Sequence, residues 1–478
     1  MRRSEAKFVH RFILSVAMIL PLAAAAQTPS PIQLRGAGIP RKLTLAQAEQ
    51  LLLQRNLAVL AARYQVDAFR AARLIASFKP NPTLMLGAEQ FILSSNFFRD
   101  LFRTNTNTAA ETTYTVRYDR LIERGGKREI RTELTTYQLN AGEAQMLDAA
   151  RTELYQLRQA FTTAALARDN LALAEATRQE YDQTIRLTEA KVENGDLARV
   201  ELYRAQVAAL PYQQAVQQAR TSYQQATRDI LNLLGARVED VSLIKPVVDD
   251  NKAQVVNASF HTGATGDGAV DPDRADSLID APLDIEFKFD DRPVILTLAE
   301  LRLIALAERP DVIASRNIYG AANKAVALAR AQRTRDVLVG VFYQRIGSDN
   351  TLGVNVSFPL LVYNKGYAAI SLAAAQQESA ISLAREAELR AVTDVEKAYL
   401  AYQSARRILN IYSSSTIERA GRLKTIAALS YQEGATSLLE LLDAERGYNQ
   451  TISSYNQARA DYQSALWQLE QAIGRPLR

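Results

Sequence analysis

The chain repeats itself in a fixed register, and a duplication restricts the fold to one that can be built twice from a single order of elements. Leu43-Thr44-Leu45-Ala46 recurs as Leu296-Thr297-Leu298-Ala299, 253 residues later. The same offset aligns the stretch Asn56 to Arg63 with Arg309 to Arg316, and Leu84-Met85-Leu86-Gly87 with Val337-Leu338-Val339-Gly340. Farther on, Val116 matches Val356 and Gly126 matches Gly366 at an offset of 240. Asn194-Gly195 then matches Glu433-Gly434, Tyr223 matches Tyr462, and Leu234-Gly235 matches Ile473-Gly474, all at 239. Each half reads as short helices, an extended pair, a long helix, a glycine turn and another helix. The first drop in offset falls where residues 94–111 separate the extended segments of half one, against only Gly347-Ser348-Asp349-Asn350 in half two. Loops of unequal length on matched hairpins are tolerated where they face outward.

The ends and the middle stand outside the repeat. Arg2, Arg3, Lys7 and Arg11 precede the apolar run Phe12 to Leu22, and Ala24 and Ala26 occupy small-residue cleavage positions. Residues 1–26 therefore read as an export signal, too short in its apolar part for a membrane helix, which needs about 20 residues. Of the formal charge of +5, this segment carries +3, so the mature chain is nearly neutral and nucleic-acid binding has no support in composition. Residues 27–235 form the first repeat, with a strand pair over 84–122 and long helices over 129–234. Residues 296–478 form the second, with a strand pair over 337–362 and long helices over 366–474. Between them, 236–295 holds thirteen acids against six basic residues, with Gly263, Gly266, Gly268 and Pro272 interrupting any period. It reads as an acidic, loop-rich linker with short strands near Pro246-Val247-Val248 and Leu283-Asp284-Ile285. Asp271, Asp273 and Asp276 lack the glycine and distal glutamate of a calcium loop.

Thr351 to Phe358 alternates strictly: Leu352, Val354, Val356 and Phe358 on one face, Thr351, Gly353, Asn355 and Ser357 on the other. That period suits a strand between lipid and a wet lumen as well as the face of a soluble sheet. Val337–Arg345, Leu84–Gln90 and Tyr114–Ile122 are its companions, with Phe91, Tyr114, Tyr118, Phe342, Tyr343 and Phe358 as candidates for interfacial aromatic belts. Four strands cannot close a membrane barrel, and an open edge in hydrocarbon leaves backbone groups unpaired at several kcal/mol each. Membrane strands in this chain therefore require several chains to pool them.

Residues 129–193 contain no proline and would extend roughly 100 Å as one helix at 1.5 Å per residue. In the last segment Leu438, Leu441, Glu445, Tyr448, Ile452, Tyr455, Arg459, Tyr462, Leu466, Leu469 and Ile473 recur in steps of three and four, the seam of a left-handed coiled coil. Glu445 and Arg459 interrupt it, which suggests seam positions open to solvent, with a buried polar pair as the alternative. Pro211 in the matching first-half helix is expected to kink it.

Catalytic chemistry finds little material. The chain has no cysteine, and its two histidines are His10 in the signal and His261 in the linker. That leaves no nucleophilic triad and no soft ligand set for a transition metal. Gly125-Gly126-Lys127 lacks the upstream glycine of a phosphate loop and reads as a turn leaving a strand. The sequence argues against an enzyme, and calls for no cofactor.

The Leu-Thr-Leu-Ala openings, Asn56, the extended pairs ending near Gly126 and Gly366, and the run Gly434, Leu441, Asp443-Ala444, Tyr462, Leu469, Gly474 together resemble the TolC-type outer-membrane efflux proteins. Pro80-Asn81-Pro82 and Glu123 to Arg128 are similar to the heavy-metal, CzcC-like branch. The resemblance covers nearly all of the mature chain and occurs twice. It implies an α+β membrane protein: a duplicated unit of β-hairpin and long antiparallel helical hairpin, three copies of which form a twelve-strand outer-membrane barrel on a periplasmic α-helical tunnel. It implies outer-membrane lipid, two further copies of the chain, a periplasmic adaptor and an inner-membrane pump as partners, and no nucleic acid. The function implied is a passive exit duct of a tripartite efflux system. The outer-membrane component of type I protein secretion and a periplasmic coiled-coil adaptor are the alternatives. Gly195 and Gly434 would be the tips where the adaptor docks. The periplasmic gate would comprise Glu440 and Asp443 after the second tip, with Tyr431 and Glu201. Thr436 stands where some members carry a basic residue, which leaves a gating salt bridge without its cation.

Overall fold

The repeated Leu-Thr-Leu-Ala motif is a helix start. In a computed structural model, which describes residues 38–89, 113–237, 241–242, 282–360 and 362–477, Thr44 ends strand β1 (Lys42–Thr44) and caps helix α1 (Leu45–Arg55). Its hydroxyl accepts from the Gln47 amide at 3.4 Å while the Gln47 side chain accepts from the Thr44 amide at 3.1 Å. Thr297 and Glu300 build the same reciprocal pair at the start of the second half, at 3.4 and 2.8 Å. Two amides that an α-helix leaves without partners are satisfied in this way at each start.

The first half continues with α2 (Leu57–Ser77), β2 (Thr83–Glu89), β3 (Thr113–Ile122), α3 (Lys127–Glu193) and α4 (Arg199–Leu233). After β4 (Asp284–Glu286) the second half runs α5 (Leu298–Glu308), α6 (Pro310–Ala331), β5 (Val337–Ile346), β6 (Asp349–Ser357), α7 (Tyr367–Ile411), α8 (Ser414–Gln432) and α9 (Leu438–Ile473). The long helices of half two are thus three, because the chain breaks at Tyr412 and Ser413. Helix α4 runs unbroken past Pro211. Strand β6 resumes at Asp349, so the β5–β6 turn is shorter than the four residues that the sequence suggests. Residues 90–112 and 243–281, with Phe91, the long first loop, the Pro246 strand and the Asp271 cluster, lie outside the described residues.

The duplication is also a duplication of polar contacts. Asn56 donates to the Leu233 carbonyl and to Glu153, both at 2.9 Å. Its repeat mate Arg309 donates to the Ala472 carbonyl and to Asp394, both at 3.1 Å. In each half one side chain between two short helices thereby ties down the end of the last helix and the flank of the long one. Tyr223 and Tyr462, also mates, donate to the carbonyls of Leu283 and Arg292 in the segment joining the halves. Strand β4 of that segment pairs in parallel with β1. Around this level Leu301, Val395, Tyr402, Leu466, Leu469 and Ile473 form a buried core.

Strands β2, β3, β5 and β6 form one antiparallel sheet in that order, so the two hairpins join through β3 and β5, from Ile122 opposite Val337 to Thr113 opposite Ile346. The register sets Leu86, Val116, Tyr343 and Leu352 in one row and Leu84, Tyr118, Val341 and Val354 in the next. These side chains are the exposed ones, Leu352 at 80% and Val354 at 70%. The other face is mostly polar and less exposed, apart from Met85 on the first strand of the sheet. There Arg117 contacts Asp119 at 2.8 Å, and turning the Asn355 amide lets its oxygen accept from Arg117 at 2.7 Å. Phe342 belongs to this polar face, opposite Arg117 and Gly353, and so is not part of an outer aromatic belt. It covers Gly353, where a Cβ would come within 2.4 Å of its ring. Among the described residues, β2 and β6 each have one free edge.

Candidate functional site

From the sheet, α3 carries the chain 67 residues to the first tip, roughly 100 Å. The two tips are built alike. At the first, the Lys191 carbonyl accepts from the amides of Asp196 and Leu197, and Gly195 has φ +85°. At the second, the Ser430 carbonyl accepts from Ala435 and Thr436, and Gly434 has φ +76°. The left-handed backbone explains both glycines, since a Cβ there is strained even though nothing lies within 4 Å of it.

Beyond each turn a helix starts again, and a glutamate sits three residues in. Glu201 and Glu440 are repeat mates, each in the first turn of its helix, where a negative charge meets the positive end of the helix dipole. Their surroundings differ. Glu201 is half-buried and accepts from Arg204 at 2.7 Å. The mate of Arg204 is Asp443, so half two presents two carboxylates one turn apart. Both are exposed, and the nearest cation to Asp443 is Arg446 at 3.9 Å. Thr436 offers no cation, and its hydroxyl is buried without a partner.

Tyr431 is not on this acidic surface. It is buried under the tip, its hydroxyl 2.8 Å from Thr188 of the first hairpin, with the Lys191 ammonium 4.9 Å above its ring. Lys191 also donates to the carbonyls of Tyr431 and Gln432 at 2.7 and 3.0 Å. A few turns higher Lys424 meets Glu180 at 2.6 Å. The tips of the two hairpins are therefore cross-linked by Thr188, Lys191, Glu180 and Lys424, none of which the sequence marked. The available signal was Lys191 in the last turn of a helix, where ammonium groups reach free carbonyls.

Behind the acidic pair lies a second feature that the sequence misread. Glu445, a seam position expected to face solvent, is 4% exposed, and its Oε2 has no hydrogen-bond partner. It sits beside the core of Tyr181, Ala205, Ala209, Leu438, Leu441 and Leu442, where Tyr181 stacks on Tyr212 and donates to its hydroxyl at 3.0 Å. Burial first, then the negative charge of Glu180, pushes the Glu445 carboxyl up to about 7, against the pull of Lys424 and Tyr181. Arg459, the other seam interruption, is not its partner: it lies over the rings of Phe289 and Tyr455 and 3.9 Å from Asp169. The tip can thus offer carboxylates to a cation or a docking partner, and it contains a buried acid whose affinity for a proton is raised. Among the described residues no three His, Cys, Asp or Glu side chains are grouped to hold a metal, and no helix is long and apolar enough to cross a membrane.

Several known proteins are similar to this chain in fold or in sequence. In solved structures the chain is similar to the CusC channel at a TM-score of 0.67, with 18% identity over 90% of this chain and 92% of that one. It is similar to the outer membrane protein VceC of Vibrio cholerae at 0.65, with 17% identity over 91% and 97%. At these identities the likeness concerns the fold. In sequence it is 23% identical over 325 residues to the alkaline protease secretion protein AprF of Pseudomonas aeruginosa, covering 65% of this chain and 59% of that protein. It is 31% identical over 180 residues to the pyoverdine export outer membrane protein OpmQ of Pseudomonas putida, covering 35% and 38%. The chain spans less than two thirds of the length of either relative. The profile described as "Outer membrane efflux protein" matches residues 48–236 and 301–475, one segment in each half. With both repeats matched, the chain belongs to the outer membrane efflux protein family.

Proposed function

We propose that this chain is one subunit of a trimeric outer-membrane exit duct, which passively conducts substrates passed on by an inner-membrane pump and a periplasmic adaptor. The observation that carries the reading is the inverted sheet: apolar side chains outward, an ion pair and amides inward, and two free edges. In water that face would expose a large apolar patch, while in lipid the open edges would be intolerable. Pooling four strands from each of three chains resolves both, as a closed twelve-strand barrel around a polar lumen. Helix α4 adds a second argument for assembly, with Val200, Tyr203, Val207 and Leu210 exposed along one stripe near the tip. The Gly195 and Gly434 turns are the surfaces for the adaptor. Three copies of Glu440 and Asp443 form an acidic ring at the narrow end, with Glu201 beside it and Tyr431 as an internal brace.

The test begins with outer-membrane fractionation and a native mass of the detergent-extracted protein, expected to be that of a trimer. A monodisperse soluble monomer would end the channel reading. In planar bilayers, Glu440→Gln with Asp443→Asn is expected to lower cation selectivity and block by divalent cations while trimers persist. Unchanged selectivity and block would place these two carboxylates away from the constriction.

A further inference from the structure

Where the sheet gives way to the long helices, three cations gather without a carboxylate among them. A recess of about 320 Å³ is lined by Arg330, Arg333, Thr334 and Lys365. None of its three cations meets a carboxylate among the described residues. In the neighbouring recess, by contrast, Lys127 is held by Asp336 at 2.8 Å. A cation in the last turn of a helix complements the helix dipole, which accounts for Arg330 at the end of α6. It does not account for Arg333 or for Lys365, which lies in the connection between β6 and α7. Arg333 is held in place: its stem passes over Gly366, its guanidinium lies 4.8 Å from the centre of the Tyr367 ring, and it donates to the Tyr367 hydroxyl at 3.4 Å.

Beside these cations the chain exposes Phe358, Leu360, Val362 and Tyr363, the last almost without cover. An apolar segment against unpaired guanidinium and ammonium groups matches a molecule with an acyl part and an anionic head. The depth agrees. Strands β5 and β6 meet this region at Val337 and Ser357, where the outward apolar rows end and the helices begin. If the sheet spans hydrocarbon, this is the level of the headgroups on the helix side.

The geometry points to a binding site for an anionic phospholipid at this rim, with its phosphate between Arg330, Arg333 and Lys365 and its chains against Phe358, Leu360, Val362 and Tyr363. This rests on the membrane-barrel reading above. Guanidinium groups take phosphate oxygens two at a time, Lys365 adds a point charge, and Thr334 supplies a hydroxyl donor. A zwitterionic headgroup brings its own cation into the same recess and is disfavoured there.

The test uses the full-length trimer in detergent, offered equal amounts of phosphatidylglycerol and phosphatidylethanolamine, with retained lipid read by native mass spectrometry. The wild-type protein is expected to retain the anionic lipid roughly tenfold over the zwitterionic one. Arg330→Gln, Arg333→Gln and Lys365→Gln together should abolish the preference, while Arg330→Lys with Arg333→Lys keeps most of it. Should the triple variant fail to assemble, Lys365→Gln alone is expected to lower the preference about threefold. Inorganic phosphate at the headgroup concentration should not displace the lipid, and displacement would make this a simple anion site and overturn the inference. A trimer without preference, or a triple variant that keeps it, overturns the inference and leaves the channel intact. Absence of any outer-membrane trimer overturns both.

Discussion

Half one reaches its tip on a single helix of 67 residues; half two covers the matching distance on helices of 45 and 19 residues, broken at Tyr412 and Ser413. The count explains why. Gly195 lies 69 residues beyond Gly126, but Gly434 lies only 68 beyond Gly366. One residue missing from a continuous helix turns every later side chain by about 100°, and would swing the buried face out of the bundle. The break absorbs that turn. The residues permit it: where half one has Ala172-Leu173-Ala174, half two has Tyr412-Ser413-Ser414, followed by Ser415 and Thr416. Their hydroxyls bond one another at 3.0 and 3.1 Å, the local alternative that serine offers to a helix. A duplicated fold therefore survives drift in one copy, provided a local device restores the phase.

The largest break in the symmetry is expected in the sheet. Gly87 and Gly340 are repeat mates, but a Cβ on Gly87 would meet only Thr115 at 3.8 Å. On Gly340 it would come to 2.0 Å from Asp119 and 2.5 Å from Asn355, the two groups that hold Arg117 on the polar face. Gly340→Ala is expected to destabilise the assembled barrel by about 3 kcal/mol or more, through overpacking and the disturbed ion pair. Gly87→Ala should be nearly silent. Heat-modifiable migration of the two variants measures the contrast, and equal effects would mean that the polar face is not closely packed.

A smaller effect separates the tips. Glu445 is buried, whereas its mate Gln206 is exposed and neutral. The Glu445 carboxyl titrates near 7 in the folded tip, above its ordinary 4.5, because burial and Glu180 outweigh Lys424 and Tyr181. The folded tip thus binds the proton more tightly than the unfolded chain does. Stability is fully present below about 4.5, falls as pH rises toward 7, and stays at the lower level above. Glu445→Gln, which copies half one, is expected to stabilise the tip by on the order of 2 kcal/mol at pH 8 and by little at pH 4.5. Hydrogen exchange along α8 and α9 reads this directly. A variant less stable at pH 8 would show that the ionised carboxylate is usefully paired with Lys424.

What the sequence disclosed follows from what repeats. Capping boxes, tip glycines and alternating strands are local patterns that recur at fixed offsets, so Thr44 and Thr297, or Gly195 and Gly434, announce their roles. Glu440 and Glu201 were legible as mates, but the arginine that neutralises only one of them, Arg204, was not. The surroundings of Tyr431 and the burial of Glu445 were not legible for one reason: they come from the other hairpin, through Thr188, Tyr181 and Glu180, more than 240 residues away in the chain. Periodicity shows that a face is special, and not which element covers it. Phe342 shows the same limit in the sheet, where a one-residue step decides between lipid and lumen.

The smallest expected effect tests the helix break itself. Replacing Ser413, Ser414 and Ser415 by Leu, Ala and Glu copies the first half and should favour a continuous helix by propensity alone. Without the missing residue, that helix carries Tyr431 and its neighbours about 100° out of phase, so the substitution is expected to destabilise the tip by about 1 kcal/mol, the propensity gain offsetting part of the misfit. Adding one alanine after Tyr412 in the same variant restores 69 residues, and the stability should return to that of the wild type or rise slightly above it. Thermal unfolding of the detergent-extracted protein distinguishes the two variants. If the substitution without the insertion is neutral and the insertion is harmful, the break is unrelated to the lost residue, and the phase account fails.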